Sequence, residues 1–334
     1  RDALRWSKYI DEAAKMFGDA EVYFASHHWP IWGQDEVHDF LGKQRDTYKY
    51  LHDQTVRLLN NGYTGPEIAE RLSMPPALDQ AFASRGYYGT VRHNAKAVYQ
   101  MYMGWYDGNP ANLNPLPPVE ASRRYVDAMG GASKVMELAE SAYDEGDYRW
   151  AAELLNRLVF TDPGFGAARE LLAANYDQMG YQAESAPWRD VYLSAAWELR
   201  HGKAETGIEI ADAKDLLANT AVSSFLDSMA VRLDGEAARG EDLTVEFYFT
   251  DLDQRYRLHV QNSVLNHQQV TESGDVDAAL SLTRPMFDRL VLGNVGLKDA
   301  LFSDDLALEG SKLKLLKFFS LLEEPNATFP IVTP

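Results

Sequence analysis

Two short stretches concentrate the side chains that can do chemistry. The first is Ala25-Ser26-His27-His28-Trp29-Pro30-Ile31-Trp32-Gly33, where two of the eight histidines are adjacent. The preceding Glu21-Val22-Tyr23-Phe24-Ala25 reads as a strand, so His27 sits where a strand runs out into a loop. A rigid sheet presents metal-binding and catalytic side chains at such ends. Pro30 and Gly33 predict an irregular turn after it. A zinc site needs three or four ligands and one strand end supplies one. On spacing alone, His27 and His28 are equally well read as ordinary loop residues beside tryptophans. The second stretch is Arg85-Gly86-Tyr87-Tyr88-Gly89-Thr90-Val91-Arg92-His93-Asn94-Ala95-Lys96, followed by Trp105-Tyr106-Asp107-Gly108-Asn109-Pro110. Here Arg85, Arg92, His93 and Lys96 form a basic cluster interleaved with tyrosines. Guanidinium and imidazole groups beside phenol hydroxyls suit an anion such as sulfate or phosphate. Asn94 to Tyr106 reads as a helix, which puts Arg92 and His93 near its N-terminus, where the dipole also favours an anion. A solvated basic face over packed tyrosines would account for the same residues.

What is missing narrows the chemistry. No His-x-His-x-Asp-His, His-Glu-x-x-His, phosphate-loop or nucleophile-elbow motif occurs, so dehydrogenase, kinase and serine hydrolase readings have no support. His38, His52, His201, His259 and His267 are scattered singly and read as surface residues. The chain has no cysteine, which excludes disulfides and thiol nucleophiles and leaves any metal to histidines and carboxylates. A net charge of −18 argues against nucleic acid and anionic membranes as partners. No apolar run reaches the ~18 residues of a membrane span. A cysteine-free chain suits a periplasmic or secreted location and is also compatible with the cytoplasm. The opening Arg1-Asp2-Ala3-Leu4-Arg5-Trp6 reads as a helix start without initiator Met or signal pattern, so the chain is expected to begin inside a longer protein.

Three regions must position these groups, consistent with 334 residues and two or three domains of ~100–200 residues each. Region one, residues 1–118, is rich in aromatics and ends in the proline-broken run 109–118. Region two, 119–219, is helical and duplicated. Leu138-Ala139 recurs as Leu172-Ala173, Gly146 as Gly180 and Ala152 as Ala186, all at a spacing of 34. That period belongs to tetratricopeptide-type helix pairs, with small residues at helix contacts and glycine at the turns. Two repeats fall short of a free-standing array. Leu154, Leu155, Leu158, Phe160, Leu171, Trp188 and Tyr192 are therefore expected to face another domain or subunit, a homodimer above all, unless they only seal the hairpins. Region three, 220–334, is α+β. Period-2 alternation marks strands at 243–249, 256–260, 278–282 and 306–308. Thr283 caps a helix with Pro285 in its first turn, broken at 293–296. A last helix carries Leu313, Leu316 and Phe319 on one side and Leu315, Phe318 and Leu322 on another, one more apolar side than a sheet can cover.

Taken together these stretches resemble the zinc alkylsulfatases of the metallo-β-lactamase superfamily, the class that degrades alkyl sulfate detergents. The resemblance rests on 26–33, 85–90, 93–100 and 104–110, then on Gly146-Asp147-Tyr148 with Asp162-Pro163, and on Gly180-Tyr181-Gln182-Ala183-Glu184. It implies the end of a metallo-β-lactamase αββα domain, then an all-α tetratricopeptide-like dimerisation domain, then an α+β domain similar to sterol carrier protein 2. The last of these rests on Gly296-Leu297-Lys298-Asp299-Ala300-Leu301-Phe302 and Leu306-Ala307-Leu308-Glu309-Gly310. The activity implied is hydrolysis of an alkyl sulfate ester at a site with two Zn2+, most of whose ligands lie upstream of this chain. A separate polypeptide carrying that half would then be a partner. His27 maps onto the last zinc ligand, with His28 as second choice. Arg92, His93 and Tyr106 are implied to bind the sulfate, and His93 also to serve as the catalytic acid for the leaving alcohol. Phe318, Leu315 and Leu322 would hold the alkyl chain, each buried methylene giving ~0.8 kcal/mol. The rival expectation is a non-catalytic lipid- or detergent-binding and oligomerisation module.

Overall fold

The computed structural model describes residues 2–207, 219–291, 294–296, 300, 306–324 and 326–334. They fold as two compact units, one of Arg1–Lys203 with Pro330–Pro334 and one of Ala204–Phe329. Helix and strand are mixed, with a helical region followed by an α+β region. The division of the chain falls at 203/204, so region one and most of region two share one unit, and the expected boundaries at 118/119 and 219/220 do not coincide with it.

In the first unit, α1 (Ala3–Met16) starts at Asp2, whose carboxylate accepts from the Arg5 N–H at 3.0 Å. β1 (Val22–Ala25) and β2 (His28–Trp32) pair antiparallel, with Ala25 opposite His28. His27 is therefore in a hairpin turn, at the end of a strand as expected. The irregular turn expected around Pro30 is instead strand β2. Proline is tolerated there because Pro30 is unpaired, opposite the register shift between Tyr23 and Ala25, where no ladder donor is needed. α2 (Gln34–Leu59) runs 26 residues, about 39 Å at 1.5 Å per residue. It packs through Leu51 and Leu58 on Ile68 of α3 (Gly65–Arg71) and on Ala95 and Tyr99 of α5 (Val91–Met103). A short α4 (Pro76–Asp79) lies between them in sequence. Helix α5 starts three residues earlier than its sequence suggests, because Thr90 caps it, and stops at Gly104 (φ +72°).

Five helices follow: α6 (Pro118–Ala128), α7 (Ala132–Asp144), α8 (Tyr148–Thr161), α9 (Gly166–Gln182) and α10 (Ala186–His201). The spacing of 34 relates α7/α8 to α9/α10, and Ala139 and Ala173 are both fully buried at helix contacts. The glycines of the repeat are not equivalent. Gly146 makes the α7–α8 turn at φ +80°, whereas Gly180 is inside α9, where a Cβ would stand 2.9 Å from Leu193 Cδ2. Gly180 serves close helix approach rather than a turn. Leu154, Leu155 and Leu158, expected on an outward face, are 0–1% exposed and fill the core between these helices, so they seal the hairpins within the chain. Trp188, Tyr192, Phe160 and Leu171 are half-buried.

The second unit opens with α11 (Val222–Ala230) and a five-stranded sheet, order β5-β4-β3-β6-β7. Its strands are β3 (Leu243–Phe249), β4 (Gln254–Gln261), β5 (Val264–Val270), β6 (Ala278–Leu282) and β7 (Leu306–Gly310). β3 and β6 are parallel and the other neighbours antiparallel. β5 was not evident from alternation, because an edge strand alternates weakly: of VLNHQQV only Leu265 is buried. Its turn, Asn262-Ser263, places both residues at positive φ without a glycine. α12 (Arg284–Val291) is capped by Thr283, whose hydroxyl accepts from Met286 N. The helix break at 293–296 and the stretch 296–302 lie largely outside the described residues. α13 (Lys312–Ser320) buries Leu315 and Phe318 completely against Phe247 and its neighbours, and Leu322 is half-buried just beyond. These residues were expected to line an alkyl groove. Side chains with no accessible surface are filling a core instead, so Leu315 and Phe318 are structural in this conformation. Leu313, on the other side, is 79% exposed.

Candidate functional site

Helix α5 owes its position to Thr90, which has extended backbone and whose hydroxyl accepts from the His93 N–H at 3.0 Å. That cap sets Arg92 and His93 in the first helical turn, where unpaired backbone N–H groups and the dipole favour negative charge. The turn borders a cleft of about 730 Å³ whose lining includes Ser84, Arg85, Gly86, Thr90, Arg92 and Glu184. Two guanidiniums therefore share one cleft. Each is held by a carboxylate: Arg85 by Glu184 at 2.5 Å and Arg92 by Glu70 at 3.2 Å. In each pair the carboxylate meets one terminal nitrogen of a planar group with five N–H donors. Glu70 also meets Arg149 at 3.0 Å. The Arg149 hydrogen bond, aided by the nearby charges of Arg92 and Lys96, holds the Glu70 carboxyl below the usual glutamate range.

The loop carrying Arg85 is held by the start of α10. Ser185, 1% exposed, donates its hydroxyl proton to the Tyr88 carbonyl at 2.5 Å, and Ala186 N donates to the Tyr87 carbonyl at 2.8 Å. Arg85 also lies over the Tyr87 ring, 5.5 Å from its centroid. Trp188, three residues after Ser185, donates its indole N–H to His93 Nδ1 at 3.0 Å. On the hairpin side, Trp29 stacks on Phe82 and Phe82 packs on Tyr87, so the hairpin bearing His27 leans on the same loop.

Of the residues singled out from sequence, Arg92 and His93 stand together in the first turn of α5, and Arg92 lines the cleft. Tyr106 does not join them. It follows the C-terminal end of α5, which runs about 16 Å from Arg92 to Met103 at 1.5 Å per residue, and packs on Trp105. His27 is solvent-exposed, and the side chain of His28 lies outside the described residues. Among the described residues no three His, Asp or Glu side chains stand close enough to hold a metal. His52, expected at the surface, is 8% exposed and bridges Asp53 (2.8 Å) and the Tyr102 hydroxyl (2.6 Å) between α2 and α5. Glu70, Arg149 and Ser185 were not found from sequence, and Glu184 and Trp188 were singled out there but not as site residues. Ser185-Ala186-Pro187 does signal a helix start, but nothing local reports a carbonyl 97 positions away.

Two family models match the chain: alkyl sulfatase dimerisation over residues 64–202 and alkyl sulfatase C-terminal over 211–334. The chain belongs to the alkyl sulfatase family. A linear primary-alkylsulfatase from Pseudomonas sp. is 44% identical over the whole of this chain and 50% of its own length. An alkyl/aryl-sulfatase from Saccharomyces cerevisiae is 43% identical over the whole chain and 51% of its length. A solved structure of a stereoselective inverting sec-alkylsulfatase from Pseudomonas sp. superposes with a TM-score of 0.93 at 41% identity, covering 100% of this chain and 53% of that one. The chain thus spans about half the length of the curated relatives it matches. The alkyl sulfatase dimerisation match takes in α5 and α10 alike, so the whole cleft falls inside it.

Proposed function

We propose that this chain forms the sulfate-binding side of a hydrolase for alkyl sulfate esters. The observation that carries the reading is Arg92 with His93 in the first turn of α5, beside Arg85, in a family of alkylsulfatases. The sulfate group presents oxygens that planar guanidiniums and helix N–H groups recognise. An entering sulfate exchanges with Glu70 and Glu184 for the free faces of Arg92 and Arg85. His93 stands next to Arg92 and is the group placed to donate a hydrogen bond toward the departing alcohol oxygen. Zinc belongs to this reading as an ion held mainly by residues outside this chain, with His27 as one ligand.

Two measurements check this. Hexyl sulfate, below its micelle concentration, should shift the NMR signals of Arg92 and His93, and Arg92→Ala should weaken binding by about tenfold or more, the scale of one charge-assisted hydrogen bond. Absence of any shift at α5 sinks the sulfate reading. Metal analysis of the 334-residue chain should find less than one zinc per chain, and the chain alone should not hydrolyse dodecyl sulfate; two stoichiometric zincs would contradict the division of ligands.

A further inference from the structure

We infer that Trp188 is a positioning residue that fixes which nitrogen of His93 faces the sulfate. This builds on the reading of Arg92 and His93 as the anion site. An indole Nε1–H donates and cannot accept. Trp188 Nε1 lies 3.0 Å from His93 Nδ1, so Nδ1 must be the acceptor. In a neutral imidazole the proton is then on Nε2, and Nε2–H is the donor left for a ligand. An imidazolium would set a second N–H against the indole and break the bond. His93 in this arrangement is a neutral, oriented donor.

Trp188 is itself held through its backbone and its ring. Ser185 caps α10 by accepting from Trp188 N at 3.3 Å, and the same hydroxyl donates to Tyr88 O. Tyr192 meets the ring edge to face at 6.4 Å, and the Lys96 ammonium lies 5.7 Å from its centroid. One turn of α10 therefore organises both parts of the site: the 85–90 loop through Ser185 and Ala186, and His93 through Trp188. Lys96, Arg92 and Glu70 are the charged groups of α5 and α3 around it, with Arg149 facing them from α8.

The test is NMR of the 334-residue chain with ¹⁵N-labelled histidine and tryptophan, alone and titrated with hexyl sulfate. We expect His93 Nδ1 at the shift of an unprotonated nitrogen, with scalar coupling to the Trp188 indole N–H. Trp188→Phe keeps a ring beside Lys96 and removes the donor. It should erase the coupling, leave His93 as a mixture of tautomers and weaken hexyl sulfate binding about tenfold, the scale of one hydrogen bond to a charged group. In a His93→Ala background the same substitution should cost nothing further, because the two residues act as a pair. Lack of coupling in the unsubstituted chain, or an equal loss from Trp188→Phe with and without His93, overturns the assignment. A chain that shows the coupling but does not bind hexyl sulfate keeps the Trp188–His93 pair and refutes the anion site instead.

Discussion

Glu246 shows how one residue can invert its expected surroundings. It lies on β3 at a position that alternation assigns to the solvent face, yet it is fully buried. The cause is the connection from β5 to β6, which must pass β4 and β3 to reach its place in the sheet. Gly274 N–H points at the Glu246 carboxylate, and a Cβ at Gly274 would lie 2.4 Å from Arg257 Nη2, so a side chain there would push the guanidinium from its place. Arg255 (2.7 Å) and Arg257 (3.1 Å) complete the site. Burial pushes the carboxyl up, but hydrogen bonds from Arg255, Ser273 and Arg257 outweigh it and hold it below the ordinary 4.5. Its stabilising contribution is therefore complete above that value and is lost as pH falls through the lower folded value. Glu246→Gln should cost the α+β unit about 3 kcal/mol at pH 7, the low end for removing one partner of a buried pair, because both arginines still reach water. The gap should narrow below pH 4.5, read by hydrogen exchange of β3 and β4 amides. A gap that stays constant down to pH 3 would rule the ion pairs out as its source.

At the scale of elements, α13 tests what a helix with two apolar sides is for. Its inner side packs Phe318 among Phe247 and Phe319, while Leu313 points to solvent. Phe318→Ala should destabilise the α+β unit by about 3–5 kcal/mol, as expected for emptying a filled core site. Leu313→Ala should stay within about 0.5 kcal/mol. Both are read by amide exchange in the sheet. If Phe318→Ala is neutral and opens a site for hexyl sulfate, Phe318 is a gate and not core. The helical elements make a related point: α9 and α10 pair closely because Gly180 leaves room for Leu193, and that pairing delivers Ser185 and Trp188 to α5.

For the whole molecule, the chain's last residues belong to its first unit. Glu198 accepts from Ile331 N at 2.8 Å and Val332 N at 2.9 Å, and Val332 packs on the helical core. All seven tryptophans lie before residue 204, so their fluorescence follows the first unit alone. Trp150, Tyr181, Val191 and Trp197 are 47–65% exposed on α8, α9 and α10, within the region matched by the dimerisation model. Large exposed aromatics are enriched where a partner covers them. We expect a two-fold homodimer through these helices, burying well over ~1,000 Å². Light scattering at micromolar concentration should give twice the chain mass; a monomer there would defeat the expectation.

The sequence by itself determined what repeats locally. The spacing of 34, the alternation at 243–249, 256–260 and 278–282, and the capping residue Thr283 each depend on side chains a few positions apart, whose periodicity decides burial. The cluster Arg85, Arg92 and His93 was legible for the same reason, since a helix start and a basic run are contiguous features. Tertiary structure alone decided the rest. It separated Tyr106 from Arg92 by the length of a helix and brought Ser185 and Trp188 to the site from about 95 residues away. It also turned Leu154, Leu155, Leu158 and Phe318 into core and closed a loop over Glu246. Those outcomes depend on which surfaces meet when helices and strands pack, and an apolar or charged side chain carries no mark of the distant residue that will cover it.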